Sequence, residues 1–296
     1  MAQPTTDIWA EWLLHRRHGW DPRRLKVTLD HLYPIRDKIL ANAGLEDGGM
    51  LLDVGCGDGL IAFGAIQRHP TSRVIFTDVS EDLLDHVASL AREMQVADRC
   101  EFLCAAAQDL AGIQDASVDA VTVRSVLIYV AKKQQALNEL HRVLKPGGRL
   151  ALFEPINRFG EPQPAHMFWG FDVTPIAEIA AKVKSVYLRL QPLDSDPMMN
   201  FDERDLIACA ETAGFTEIHL DLEVEVKPLS RLSDWNVTWE SFMRSAANPK
   251  LPTLEEAVGQ ALTPQEAEEF SSYMRPVVES KLGTMRSALA YLTAIR

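Results

Sequence analysis

Three glycines on alternate positions, Gly55, Gly57 and Gly59, follow an apolar run in LLDVGCGDG (51–59). Such a turn lets the backbone approach a ligand closely and take left-handed dihedrals without steric cost. Asp53 stands two residues ahead of the first glycine. A carboxylate there repels a pyrophosphate but suits a cationic ammonium or sulfonium. A second acid, Asp78 in IFTDVS, lies 19 residues beyond Gly59, near the spacing at which a carboxylate takes ribose hydroxyls. Ser80 is the better cap for the helix that follows. The glycines alone fit a tight ligand-free turn; with both acids they describe a nucleoside site.

A second set of residues has the chemistry to assist a reaction. Glu154 ends the run RLALFE (149–154), where burial would raise its pKa into the range of a general base. Its competing role is a structural acid paired with Arg158 or Arg124. Tyr129 and His166 are further candidates, with core packing and an ordinary surface histidine as their alternatives. Phe159, Phe168, Trp169 and Phe171, with Trp9 and Trp12, have the composition of an apolar acceptor chamber whose faces stabilise a sulfonium. The stretch HRRHGWDPRRLK packs Arg16, Arg17, Arg23, Arg24 and Lys26 into twelve residues. It reads either as a solvated helix end or as an anion-facing edge.

These groups need elements to hold them. Apolar runs at 50–54, 73–77, 101–104, 118–123 and 149–154 alternate with helical stretches at 59–68, 80–95 and 132–144. That alternation implies βαβ units, a parallel sheet and a doubly wound α/β core over 46–155. Ahead of it, 7–18 and 22–43 have helical spacing, the second closed by Gly44, and form a cap over 1–45. Residues 156–200 form an aromatic, proline-rich lid. In 201–227 a helix closed by Gly214 precedes an alternating strand or hairpin that ends the core sheet. Residues 228–296, with Trp235, Trp239 and Phe242 and a continuous pattern over 271–295, are expected to be a helical extension.

The chain as a whole sets limits. Of its 296 residues 47% are hydrophobic and 24% charged, as in an ordinary globular protein. A formal net charge of −12 argues against a nucleic-acid surface. No apolar run is long enough for a membrane span, and the start lacks the form of a signal peptide. Four cysteines without zinc spacing fit a cytoplasmic protein with reduced thiols and no metal. Homodimerisation through the extension is left open.

LLDVGCGDG, TDVS (77–80), AAAQDL (105–110), VDAVTVRSVLIYV (118–130) and VLKPGGRLALFEP (143–155) together resemble the class I S-adenosylmethionine-dependent methyltransferases of small-molecule type. They are similar to the ubiquinone/menaquinone and sterol methyltransferase group. The resemblance implies a Rossmann-like, mostly parallel seven-stranded sheet, S-adenosyl-L-methionine as cofactor and a small-molecule acceptor. It places Gly55, Cys56 and Gly57 at the methionine moiety, with Asp53 ordering the ammonium. Asp78 is expected on the ribose, Val79 on the adenine, and Arg124 and Ser125 at the methionine end. The family's adenine-binding acid is replaced by Ala106, so Gln108 or the Ala107 backbone is expected to make that contact. Tyr129 falls where the family carries an acceptor-side aromatic or histidine. An oxygen, nitrogen or carbon acceptor all remain open. An arsenic site is disfavoured by a lid without cysteine, and an amino-directed nucleic-acid enzyme by Arg124-Ser125-Val126-Leu127 after the fourth strand. A cofactor-holding scaffold and a nicotinamide oxidoreductase are the alternatives.

Overall fold

The computed structural model describes residues 7–232 and 237–296. Helix α1 (Ile8–Leu14) starts at Asp7, whose side chain accepts from Trp9 N and Ala10 N. A 3-10 turn over Arg16–His18 leads to α2 (Pro22–Ala43), which begins with Pro22 after the Asp21 cap and ends at Gly44 in the left-handed region (φ 56°). These are the start and stop signals that the sequence displays.

The apolar runs become the parallel strands β1 (Met50–Val54), β2 (Arg73–Asp78), β3 (Cys100–Cys104), β4 (Val118–Arg124) and β5 (Leu144–Pro155). Helices α3 (Leu60–Arg68), α4 (Glu81–Glu93) and α5 (Lys133–Val143) connect them. Leu52, Val121, Leu140 and Leu150 belong to the core on one face of the sheet, and Leu51, Ile61, Phe76 and Phe153 to that on the other. Burial on both faces is why these strands read as continuous apolar runs.

Beyond β5 the expected division of the chain is corrected. A small hairpin, β6 (Met167–Phe168) with β7 (Phe171–Asp172), precedes α6 (Ala177–Leu190) and α7 (Glu203–Ala213). Strand β8 (Thr216–Pro228) is one long strand, followed by α8 (Trp239–Arg244), α9 (Leu254–Ala261) and α10 (Pro264–Glu279). The last element, expected to be helical, is strand β9 (Thr284–Ile295). It runs antiparallel between β5 and β8, giving the order β3-β2-β1-β4-β5-β9-β8. TMRSALAYLTAI carries alanine and leucine, both good helix formers. Two hydrogen-bonded ladders and burial of Ala288, Ala290, Leu292 and Ala294 override that preference.

The lid and the C-terminal extension are likewise one unit. The β6–β7 hairpin, α6, α8, α9 and α10 share a core of Phe168, Val183, Phe242, Leu254, Phe270 and Met274. Trp235 lies outside the described residues. Among the described residues no helix is long and apolar enough to cross a membrane.

Because Leu292 is fully buried in an interior strand, Leu292→Ala should cost about 2–5 kcal/mol in urea unfolding. A loss below about 1 kcal/mol would place it at a surface instead.

Candidate active site

The glycine loop leaves β1 with positive φ at Gly55 (65°) and Gly57 (55°). A Cβ on Gly55 would lie 2.3 Å from Val126 Cγ2, and one on Gly57 3.0 Å from Leu13 Cδ2. The dihedral favours glycine at both positions, and at Gly55 the Val126 side chain leaves no room for a Cβ as well. Cys56 takes part through its backbone: its N–H donates to Thr77 O and its carbonyl accepts from Gly59 N. Its thiol is buried and its pKa rises well above the usual range, desolvation being the main cause.

At the end of β2, Asp78 Oδ2 accepts from Gly57 N (2.9 Å) and Oδ1 from Ser80 N (3.0 Å). Burial raises its pKa against those hydrogen bonds. Val79, next in sequence, is 49% exposed. With Leu103, Cys104, Ala105, Ala106 and Asp109 it lines a groove of about 430 Å³, within the range of small-ligand pockets. Ala107 and Gln108, expected at the adenine, are not among the residues that line this groove. Ala107 is buried in the core, and the Gln108 carbonyl accepts from Gln135 Nε2 (2.9 Å). The groove's carboxylate is Asp109, folded back by a turn in which its N–H donates to Ala106 O (2.8 Å). The signal for it was the acid in AAAQDL, displaced from the position where the resemblance sought one.

Asp53 is turned into the protein. Its Oδ1 accepts from Thr122 Oγ1 (2.7 Å) and its Oδ2 from Ala62 N (3.2 Å), joining β1, β4 and the first turn of α3. Burial pushes its pKa up to about 7. Glu154 is also fully buried. Its Oε1 accepts from Val126 N (2.9 Å) and Leu127 N (2.8 Å), and its Oε2 from Ile128 N (3.2 Å). Desolvation pushes Glu154 up to about 7 against those bonds. The expected base is thus an anchor for the segment after β4, and neither Arg158 nor Arg124 pairs with it. On that segment Ser125 sits at φ 55°, a strained dihedral for a residue with a Cβ, its N–H donating to Phe153 O (2.8 Å).

The cap closes over these loops. Ser80 Oγ donates to Asp7 Oδ2 (2.5 Å), and Leu13 meets Gly57. The Trp9 ring stands edge-on to Tyr129 at 4.9 Å, and Trp12 Nε1 donates to Ala246 O (2.9 Å). Burial drives the Tyr129 phenol far above its ordinary pKa, so it stays protonated. Arg17 lies 5.5 Å from the Trp12 ring. Burial, then Arg124, lower its guanidinium to about 10.

The structure separates the other candidates. Arg16 pairs with Glu256 (2.6 Å) and Arg23 with Asp21 (3.2 Å), while Arg24 donates to Ser241 O (2.9 Å). His166 is exposed. Phe168 is 1% exposed and packs on Phe270 at 5.8 Å, and Trp169 packs on Tyr187 at 5.1 Å. Both aromatics belong to the core of the helical layer rather than to an acceptor chamber.

Glu154→Leu should destabilise by about 3 kcal/mol or more, since three buried N–H groups lose their acceptor; equal urea midpoints for parent and variant would contradict the anchor. His18, buried beside Thr28 Oγ1 (3.4 Å), has its pKa lowered from 6.5 to about 4, burial being the main cause. The fold thus holds the imidazole neutral while the unfolded chain takes up a proton. Its contribution is intact above pH 6.5 and lost as the pH falls toward 4. Thermal melts of His18→Gln should therefore lose less stability than the parent over that window.

Residues 52–152 match the methyltransferase-domain family. The chain is similar to the ubiquinone/menaquinone biosynthesis C-methyltransferase of Cereibacter sphaeroides, at 34% identity over 125 residues, 42% of this chain and 48% of that one. With the same enzyme of Escherichia fergusonii the identity is 30% over 179 residues, 60% and 70% of the two chains. The tRNA 5-carboxymethoxyuridine methyltransferase of Escherichia coli is 34% identical over 152 residues, 51% and 56%. In fold, the chain is similar to geranyl diphosphate C-methyltransferase from Streptomyces coelicolor, with TM-score 0.54 and 17% identity over 95% and 88% of the chains. The chain spans about half the length of the first of these relatives. By its seven-stranded sheet, its glycine loop and these likenesses, the chain belongs to the class I S-adenosylmethionine-dependent methyltransferases.

Proposed function

We propose that this protein transfers the methyl group of S-adenosylmethionine to a small-molecule acceptor. The observation that carries the reading is the Asp78 carboxylate, fixed by the Gly57 and Ser80 amides immediately before Val79, which lines the groove together with Asp109. Asp78 holds the ribose hydroxyls with its remaining lone pairs, and Val79 and Leu103 flank the adenine. Asp109 accepts from the adenine amine, in place of the acid missing at Ala106. The Gly55–Gly57 backbone lies against the methionine moiety. Asp53 shapes that loop from behind.

When bound, S-adenosylmethionine supplies an activated methyl on a sulfonium, so that alignment rather than a strong base accounts for much of the rate. Tyr129, Trp9 and Trp12 form the acceptor side under the cap. Tyr129, protonated at all ordinary pH, orients the acceptor by hydrogen bonding and does not remove a proton. With Glu154 engaged by three amides, the acceptor atom is one that arrives unprotonated or loses its proton to solvent. The roof of α1 over the loop and the net charge of −12 favour a small acceptor over a tRNA. The four free thiols keep the cytoplasmic reading. Family membership sets the nicotinamide alternative aside. The loss of Glu154 as a base supports a second reading, a cofactor-holding protein without turnover.

Calorimetric titration with S-adenosylmethionine, S-adenosylhomocysteine and NADH should show binding of the two sulfur nucleosides only. Asp78→Ala should weaken both by about tenfold or more, because charge-assisted hydrogen bonds to ribose disappear. An affinity within about twofold of the parent would remove the carboxylate from the site and the reading with it. Methyl transfer to any acceptor eliminates the second reading.

A further inference from the structure

The wall of the groove that carries Asp109 belongs to no strand or helix. Asp109, Ala111 and Gly112 line it, all three on the irregular loop between β3 and β4. The residues among and around them are gripped from behind. Gln135 Nε2 donates to Gln108 O (2.9 Å), and Leu110 N donates to Glu139 Oε2 (2.9 Å). Arg142 donates from Nη2 to Leu110 O (2.9 Å) and from Nη1 to Ile113 O (2.8 Å). Leu110 and Ile113 are buried in the core on that side. One loop is thus shared, residue by residue, between the groove and α5.

Gln135, Glu139 and Arg142 stand at i, i+4 and i+7 on α5, which is one face of a helix. Glu139 and Arg142 are joined to each other by two hydrogen bonds, Nε to Oε1 (2.8 Å) and Nη2 to Oε2 (2.7 Å). The Arg142 hydrogen bond holds Glu139 below the usual carboxylate range, so the acceptor for Leu110 N stays ionised. A guanidinium reaches two carbonyls and a carboxylate at once because its donors form a rigid planar fork.

Asp109 has little of its own to hold it. Its side chain is exposed, and only Oδ1 is engaged, accepting from Ala111 N at 3.4 Å. Its direction comes from the two peptide planes that flank it. The plane before Asp109 is held at Gln108 O by Gln135, and the plane after it at Leu110 N by Glu139. Peptide units are rigid, so fixing both sets the Cα between them and the bearing of its side chain.

We propose that Gln135, Glu139 and Arg142 are positioning residues that set the base preference of the groove, by holding Asp109 where its carboxylate meets the exocyclic amine of adenine. The proposal rests on the S-adenosylmethionine reading of this groove. The three act through the loop, since none of them lines the groove. With the loop released, Asp78 and Val79 still take a nucleoside, but a purine carbonyl is accepted as readily as an amine.

The experiment is calorimetry with S-adenosylhomocysteine and S-inosylhomocysteine, which carries a carbonyl where adenine has its amine. The full chain is compared with Arg142→Met, Arg142→Lys and Gln135→Ala, with Asp109→Ala as the reference and melting curves to establish folding. The parent should prefer the adenosine compound by about tenfold or more, because a charge-assisted hydrogen bond gives way to facing oxygens. Asp109→Ala should bring the two compounds within about twofold of each other. Arg142→Met should lose most of the preference through weaker S-adenosylhomocysteine binding, with S-inosylhomocysteine bound no more weakly than by the parent. A merely structural loosening would weaken both compounds alike. Arg142→Lys should retain part of the preference, and adding Arg142→Met to Asp109→Ala should lower it no further. Gln135 is exposed, so Gln135→Ala, expected to reduce the preference in the same way, decides the matter where Arg142→Met does not fold. A parent-like preference in the folded variants overturns the assignment, as does equal weakening of both compounds or a parent without preference. A parent that binds neither compound is a different result, which brings down the cofactor reading and this assignment with it.

Discussion

One buried carboxylate organises the working edge of the sheet. Glu154, at the end of β5, collects the N–H groups of Val126, Leu127 and Ile128. An acid removed from water is costly unless its oxygens are satisfied, and three consecutive amides satisfy them only if the segment after β4 folds into one tight turn. That turn aims Val126 at Gly55 and places Ser125 in a strained dihedral. It also brings Tyr129 under Trp9. The glycine at position 55 is thus dictated partly by a glutamate a hundred residues away in sequence.

The cap is tied to the same loops by different means. Helix α1 has only seven residues, too few to persist in water unaided. Its order comes from what it covers: Asp7 on Ser80, Leu13 on Gly57, Trp9 on Tyr129. Seating of the cap and the shape of the glycine loop are therefore linked equilibria, since Leu13 packs on Gly57 itself, while Trp12 Nε1 ties the cap separately to Ala246 O.

The core was legible because its signals are local. Apolar runs punctuated by glycine and proline marked β1 to β5, and Asp21, Pro22 and Gly44 marked both ends of α2. What escaped was decided at a distance. The alanine and leucine of β9 favour a helix until two neighbouring strands claim the segment. Phe168 and Trp169 have the composition of a pocket, but composition does not say which of two cores an aromatic joins. Five basic residues in twelve looked alike in sequence; Arg17 stands apart from its arginine neighbours only through the partners those have found. Asp109 shows the reverse case, in which a displaced acid is returned to its groove by one backbone turn.

The place of β9 has a consequence for how the molecule is made. The chain leaves the sheet at Pro155, lays down the outer strand β8, and builds α8 to α10 before the strand that joins β8 to β5 is synthesised. Until then two long edges stand open, and pairings this distant in sequence form slowly. Strand β8 stays the outer strand even in the finished protein, with Leu222, Val224 and Val226 exposed, an arrangement that invites pairing with other chains. Asp221, Glu223 and Glu225 alternate with them. Acids interleaved along an apolar edge act as gatekeepers against aggregation, so the charge pattern of β8 protects the nascent chain before it contributes anything to the finished one.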